Sequence, residues 1–150
     1  MKVSHSLSRW NVCSCLVALA LLAPAFSGAA AEEKSAAEKP SITLLKVPTV
    51  GPGPTETGEI KGKVTGVSPS ECKVVIYAKG GDVYYVQPTE ETPYTGISKD
   101  GSFSDEIHGG DEFVALLVKK SYKPKAKIAK VPEEGGEILA IDRMRREKKS

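Results

Sequence analysis

Residues Ile97–Val118 read ISKDGSFSDEIHGGDEFVALLV, and the fold class is decided by how this stretch divides. Asp100-Gly101 is a tight-turn signal, because glycine accepts the positive φ that hairpin turns demand. Ser102–Ile107 then alternates like a half-exposed strand, and Gly109-Gly110 interrupts it. Phe113–Val118 is an uncharged apolar run of six residues, the length of a buried strand and too short for an ordinary helix. With Tyr94–Ile97 in front as a short strand, the stretch reads strand, turn, strand, core strand.

The same signals repeat outward. Glu59–Val67 sets Ile60, Gly62, Val64 and Gly66 against Lys61, Lys63 and Thr65, the period of two of a half-buried strand. Cys72, Val74, Ile76 and Ala78 form one face of the next strand, opposite Lys73, Val75, Tyr77 and Lys79. Gly80-Gly81-Asp82 connects it to a hairpin partner, Val83–Gln87. Upstream, Ser41–Val47 is a first strand, and Pro48–Gly58 is a loop or kinked edge rich in proline and glycine. Downstream, Lys119–Lys130 is lysine-rich and contains Pro124, Pro132–Gly136 turns, and Glu137–Met144 is a last strand. Roughly seven short strands with turns about every 8–12 residues predict an all-β domain, an antiparallel β-sandwich of Ig-like, Greek-key type. We place it at residues 41–144, between a flexible leader (32–40) and a basic tail (145–150).

The first 31 residues have the grammar of a secretory signal. Lys2 and Arg9 make the positive n-region, Val12–Phe26 is the apolar core, and Ala29-Ala30-Ala31 places cleavage before Glu32. The apolar stretch falls short of the ~20 residues a membrane span needs, so cleavage is expected rather than retention as an anchor. The remaining chain is expected to be exported, periplasmic or extracellular, with no membrane span. Lys2 and Arg9 are the signal's only charges apart from histidine, so the net charge of +2 falls to zero once it leaves. No global basic field then argues for nucleic acid. Of three cysteines only Cys72 survives, which excludes an intramolecular disulfide framework.

Scattered positions carry a family resemblance. Gly62-x-Val64-x-Gly66-Val67, Val74-Val75-x-Tyr77, Val86-Gln87-Pro88, Asp100-Gly101-Ser102-Phe103, His108-Gly109-Gly110, Ala115-x-Leu117-Val118 and Tyr122-x-Pro124 resemble the small immunoglobulin-like accessory modules of secreted bacterial proteins. Part of the pattern is similar to carboxypeptidase regulatory-like, transthyretin-like domains, although Ser121-Tyr122-Lys123-Pro124 lacks the glycine that opens their last motif. The resemblance covers about Glu59–Pro124 and implies a β-sandwich that works beside other domains; it names no ligand.

Gly109-Gly110-Asp111-Glu112-Phe113 also spells the signature pentapeptide of diguanylate cyclases. There the glycines admit nucleotide phosphates and the acids help hold metal. Those domains are larger α/β structures, and neither their helices nor their early-strand aspartate has a counterpart here. A motif without its context is a coincidence. The pentapeptide is expected to be a turn, with Asp111 and Glu112 solvated and Phe113 starting a core strand.

Other chemistry is sparse. His108 is the only histidine after the signal, too few for a multi-histidine metal site or a catalytic dyad. Cys72 on an apolar strand face reads as a small buried hydrophobe. Asp100, Asp105, Glu106, Asp111 and Glu112 match no calcium-loop spacing. Tyr84 and Tyr85 are adjacent and must face opposite sides of their strand, so one of them points outward. An outward aromatic is a platform on which a sugar ring can stack, which makes Tyr84, Tyr85 and Tyr94 the candidate carbohydrate-binding residues. The six lysines of Lys119–Lys130 and the C-terminal arginines read as a solvated edge, or alternatively as a surface for polyanions. We therefore expect a non-enzymatic interaction or structural module with no cofactor and no catalytic residue. Its partner is expected to be a protein or polysaccharide, with a carbohydrate-binding module as the alternative.

Overall fold

The computed structural model describes residues 38–147. The signal-peptide reading, most of the leader and the last residues of the tail lie outside them. The described residues form eight strands: β1 (Ser41–Lys46), β2 (Gly53–Thr65), β3 (Cys72–Gly80), β4 (Val83–Gln87), β5 (Ser102–Gly109), β6 (Glu112–Lys119), β7 (Lys127–Ile128) and β8 (Ile138–Arg145). All pairings are antiparallel, in a three-stranded sheet ordered β1-β2-β5 and a five-stranded sheet ordered β7-β4-β3-β6-β8.

The main core lies between the sheets. Ile42, Ile60 and Phe103 from the small sheet meet Val74, Phe113 and Leu117 from the large one. Each such burial stabilises the fold by about 1.5–3 kcal/mol. Gly62 sets the spacing on the small sheet. It pairs with Phe103 across β2 and β5, and the Phe103 ring lies where a Gly62 β-carbon would be. At the entry to the domain, Glu38 and Lys39 run against Gly66, whose φ is +72°.

A second core covers the other face of the large sheet. Val75, Tyr77, Tyr84, Val114, Leu116 and Val118 point into it. It is closed by the segment after β6, which crosses the sheet as a strap. Tyr122 and Ile128 pack inward from the strap. Its backbone is held where the Tyr77 hydroxyl donates to the Lys125 carbonyl at 2.9 Å and Val86 N–H donates to the Ala126 carbonyl at 3.0 Å. Tyr94 Oη likewise donates to the Tyr122 carbonyl at 2.7 Å. Val75 and Tyr77, which the alternation assigned to the face shared with two lysines, are therefore fully buried. The strap supplies what covers them. Burial pushes the Tyr77 phenol up to about 12.

Exposed strand margins are closed by side-chain acceptors. Asp142 on β8 accepts Leu44 N–H of β1 at 2.7 Å, which ties the two sheets together beside the β1 bulge. Glu134 accepts Ile141 N–H at 3.2 Å, and Gln87 accepts His108 N–H at 3.0 Å. Groups that would otherwise template another chain are thus occupied.

Three boundaries differ from the sequence reading. β2 begins at Gly53, so the second half of Pro48–Gly58, expected as a loop or kinked edge, is a strand margin that takes up Pro54 by slipping register between Gly53 and Thr57. The expected Tyr94–Ile97 strand shrinks to one bridge, Thr95 to Val74, because β3 already has β4 and β6 as partners. β8 runs on to Arg145, and Arg146 beyond it packs on Asp111, so the basic tail begins later than expected.

Candidate functional site

The two sheets differ in width, and the excess creates a ledge. β5 ends the small sheet, whereas the large sheet continues past β3 through β4 and β7. The face of β4 that carries Tyr85 therefore has no strand opposite it. A cleft of about 650 Å³ opens there, bounded by Pro52 just before β2 and Pro54 within it, Pro88 to Glu91 after β4, and His108 at the end of β5.

Local sequence builds each wall. Gly109 lets the Val50–Gly53 backbone lie on the end of β5, since a β-carbon there would stand 2.0 Å from the Gly51 carbonyl oxygen. Gln87, only 3% exposed, uses Oε1 to hold His108 N–H, so its amide bridges the sheets at the base of the cleft. A cis peptide joins Gln87 to Pro88 and leads into the wall carrying Glu90 and Glu91. Tyr85 is 40% exposed, the most exposed aromatic residue described, and Lys127 Nζ stands 5.4 Å from its ring centre. His108 Nδ1 is buried without a hydrogen-bond partner.

The structure separates the three candidate tyrosines. Tyr85 faces the cleft. Tyr84 faces the second core, with its hydroxyl donating to Glu112 Oε1 at 2.8 Å, and burial followed by this carboxylate raises its pKa. Tyr94 packs against the same core, anchors the strap, and carries Lys73 Nζ 4.1 Å from its ring centre. Tyr84 and Tyr94 thus build the fold, and only Tyr85 offers a free ring. Alternation along β4 placed one of the adjacent pair outward; it held no signal for which one, because the strap is distant in sequence.

The pentapeptide forms the β5–β6 crossing between sheets. Gly110 passes close to Lys79, and Asp111 N–H donates to the Lys79 carbonyl at 2.9 Å. Asp111 is exposed as expected but also ion-paired, whereas the expectation that Glu112 is solvated is corrected, its side chain being only 13% exposed. Asp111 Oδ1 accepts Arg146 Nη2 at 3.1 Å, and Glu112 joins Tyr84 to Arg145, whose Nε lies at 3.5 Å. The two arginines arrive at the end of β8 and just beyond it, more than 30 positions away, so no local pattern announces them. The arrangement is a strut, with Glu112 Oε1 committed to the Tyr84 hydroxyl.

The remaining candidates occupy structural positions. Cys72 is buried at the start of β3, and burial pushes its thiol up, away from the reactive thiolate. Asp100 caps its turn through Ser102, whose hydroxyl and N–H both donate to Oδ1 and lower the carboxyl's pKa. Asp105 accepts the Thr95 hydroxyl, and Glu106 that of Thr57. Among the described residues no group of three or more His, Cys, Asp or Glu converges to hold a metal ion.

No family model, no curated protein and no solved structure matches this chain. The cleft is therefore read from its own geometry.

Proposed function

We propose that this chain is an exported, non-enzymatic interaction module of the Ig-like or transthyretin-like kind, with the Tyr85 cleft as its binding surface. One observation carries the reading. Beyond the edge of the small sheet the large sheet leaves a ledge open, and that ledge holds the most exposed aromatic residue among the described residues beside polar groups at its rim. Concave sites with an apolar floor and a few fixed polar groups are where proteins take small ligands or chain segments. A sugar ring is the ligand favoured by these parts. Tyr85 supplies a stacking face, while Glu90, Glu91 and Thr89 supply acceptors and donors for ring hydroxyls.

The experiment is affinity electrophoresis of the protein and of Tyr85→Ala through gels containing soluble neutral or acidic glycans, with Tyr84→Phe as a packing control. Retardation that is lost in Tyr85→Ala and kept in Tyr84→Phe supports the reading. Retardation that persists in Tyr85→Ala refutes the cleft as the binding surface.

A further inference from the structure

The strap leading into the cleft has an ordered surface. From Ser121 to Ile128 exposure alternates strictly: Tyr122, Pro124, Ala126 and Ile128 are half-buried, and Lys123, Lys125 and Lys127 between them are exposed. Lys123, Lys125 and Lys127 thus follow one another as a row along the exposed side of the strap, which bends at Ala126 just before β7. None of them forms an ion pair among the described residues, whereas Lys46, Lys61 and Lys130 each meet a glutamate. The row ends at the site described above. Lys127 pairs with Tyr85 in the strand ladder, and Ala126 lines the cleft wall.

Lysines on an edge can act simply to block strand addition. Here the strap is already docked through its carbonyls, and its lysines continue well before β7 begins at Lys127. An edge guard needs charge only on the edge itself. A row of cations with no ion pairs among the described residues, ending with Lys127 beside the exposed Tyr85 ring, is complementary to a linear chain whose units carry both a ring and a negative charge.

We infer that the ligand is a linear acidic polysaccharide, with one sugar ring stacked on Tyr85 and the carboxylates of neighbouring units paired to Lys127, Lys125 and Lys123. This rests on the cleft being the binding surface. Single-stranded nucleic acid is the less suitable polyanion, because its binders stack successive bases on several aromatic rings and Tyr85 is the one large exposed aromatic among the described residues. Glu90 and Glu91 line the cleft, whereas the three lysines lie outside its lining, and this fixes the polarity. The two glutamates repel a carboxylate inside the cleft, so the acidic groups lie toward the strap.

Polygalacturonate is a suitable probe, compared with its fully methyl-esterified form and with a single-stranded DNA oligonucleotide in affinity electrophoresis and titration calorimetry. The inference expects retention by polygalacturonate, about tenfold weaker binding in the triple variant Lys123→Gln, Lys125→Gln, Lys127→Gln, and weakening by salt. It also expects tighter binding in Glu90→Gln, Glu91→Gln and little affinity for the ester. Equal binding by the triple variant, equal affinity for acid and ester, or DNA bound as tightly as polygalacturonate would each overturn it. If neutral glycans are retained through Tyr85 while the triple variant is unchanged, the cleft stands and the acidic-ligand inference fails. If Tyr85→Ala leaves all binding intact, both fail.

Discussion

The sharpest test of the packing between the sheets is Gly62→Ala. A β-carbon at this position would lie 2.2 Å from Phe103 Cζ and 2.5 Å from the Thr43 carbonyl oxygen. The ring could swing aside only into a core where Ile60 and Phe113 are fully buried. The carbonyl belongs to the adjacent strand β1, which pairs with β2 at that level, so it moves only if the ladder moves. Overpacking of a well-packed core costs about 1–3 kcal/mol, and the backbone clash puts this substitution at the upper end. At roughly 4–8 °C per kcal/mol for a domain of this size, the melting midpoint falls by more than 10 °C. Gly53→Ala is the control, because a β-carbon there meets nothing within 4 Å. The double change Gly62→Ala, Phe103→Leu removes the ring clash and leaves the carbonyl clash, so it recovers less than the whole loss. Calorimetric melting of the set decides the matter. A Gly62→Ala midpoint within a few degrees of the unmodified protein would refute the close approach of Phe103 to β2.

Other expectations are independent of that one. The raised Tyr77 pKa means the folded protein holds a proton that the unfolded chain releases, so stability is complete below pH 10 and falls as pH rises toward about 12. Alkaline urea titrations of Tyr77→Phe should show a shallower decline, with lower stability at neutral pH because the Lys125 carbonyl loses its donor. Asp142→Ala leaves Leu44 N–H without its acceptor and should cost about 1–3 kcal/mol in urea unfolding, against a few tenths for an exposed carboxylate. Cys72 should resist a thiol reagent in the native protein and react after denaturation, as read by peptide mapping.

Local periodicity made most of the strands legible. Alternation identified Ile60, Gly62 and Val64 as an inward face, and the uncharged run Phe113–Val118 could only be a covered strand. The pairing of Asp100 with Gly101 fixed a turn whose glycine has φ +82°. What escaped depended on contacts distant in sequence. Pro48–Gly58 read as a loop or kinked edge without a choice between them, because tolerance of Pro54 at a bulged margin depends on β5 lying alongside. Tyr77 looked half-exposed because its cover arrives from the strap. Asp111 and Glu112 looked idle because their arginines come from the end of β8 and the residue after it. The site was legible only as one exposed tyrosine among candidates; the cleft itself arises from unequal sheet widths, a property of strand order that no stretch of sequence carries alone.

The manner in which the strap is fastened has a consequence for how its surface can vary. Its anchors are the main-chain oxygens of Tyr122, Lys125 and Ala126, reached by donors from Tyr94, Tyr77 and Val86. Every amino acid carries that oxygen, so the fastening makes no demand on the side chains displayed at positions 123, 125 and 127. Their identity is uncoupled from folding. Selection, or an engineer, can rewrite the outward lettering of this segment while the inward letters, Tyr122 and Ile128, keep the face of the sheet closed. The strap is in this sense a display frame: the scaffold fixes where three side chains stand and leaves open what they say.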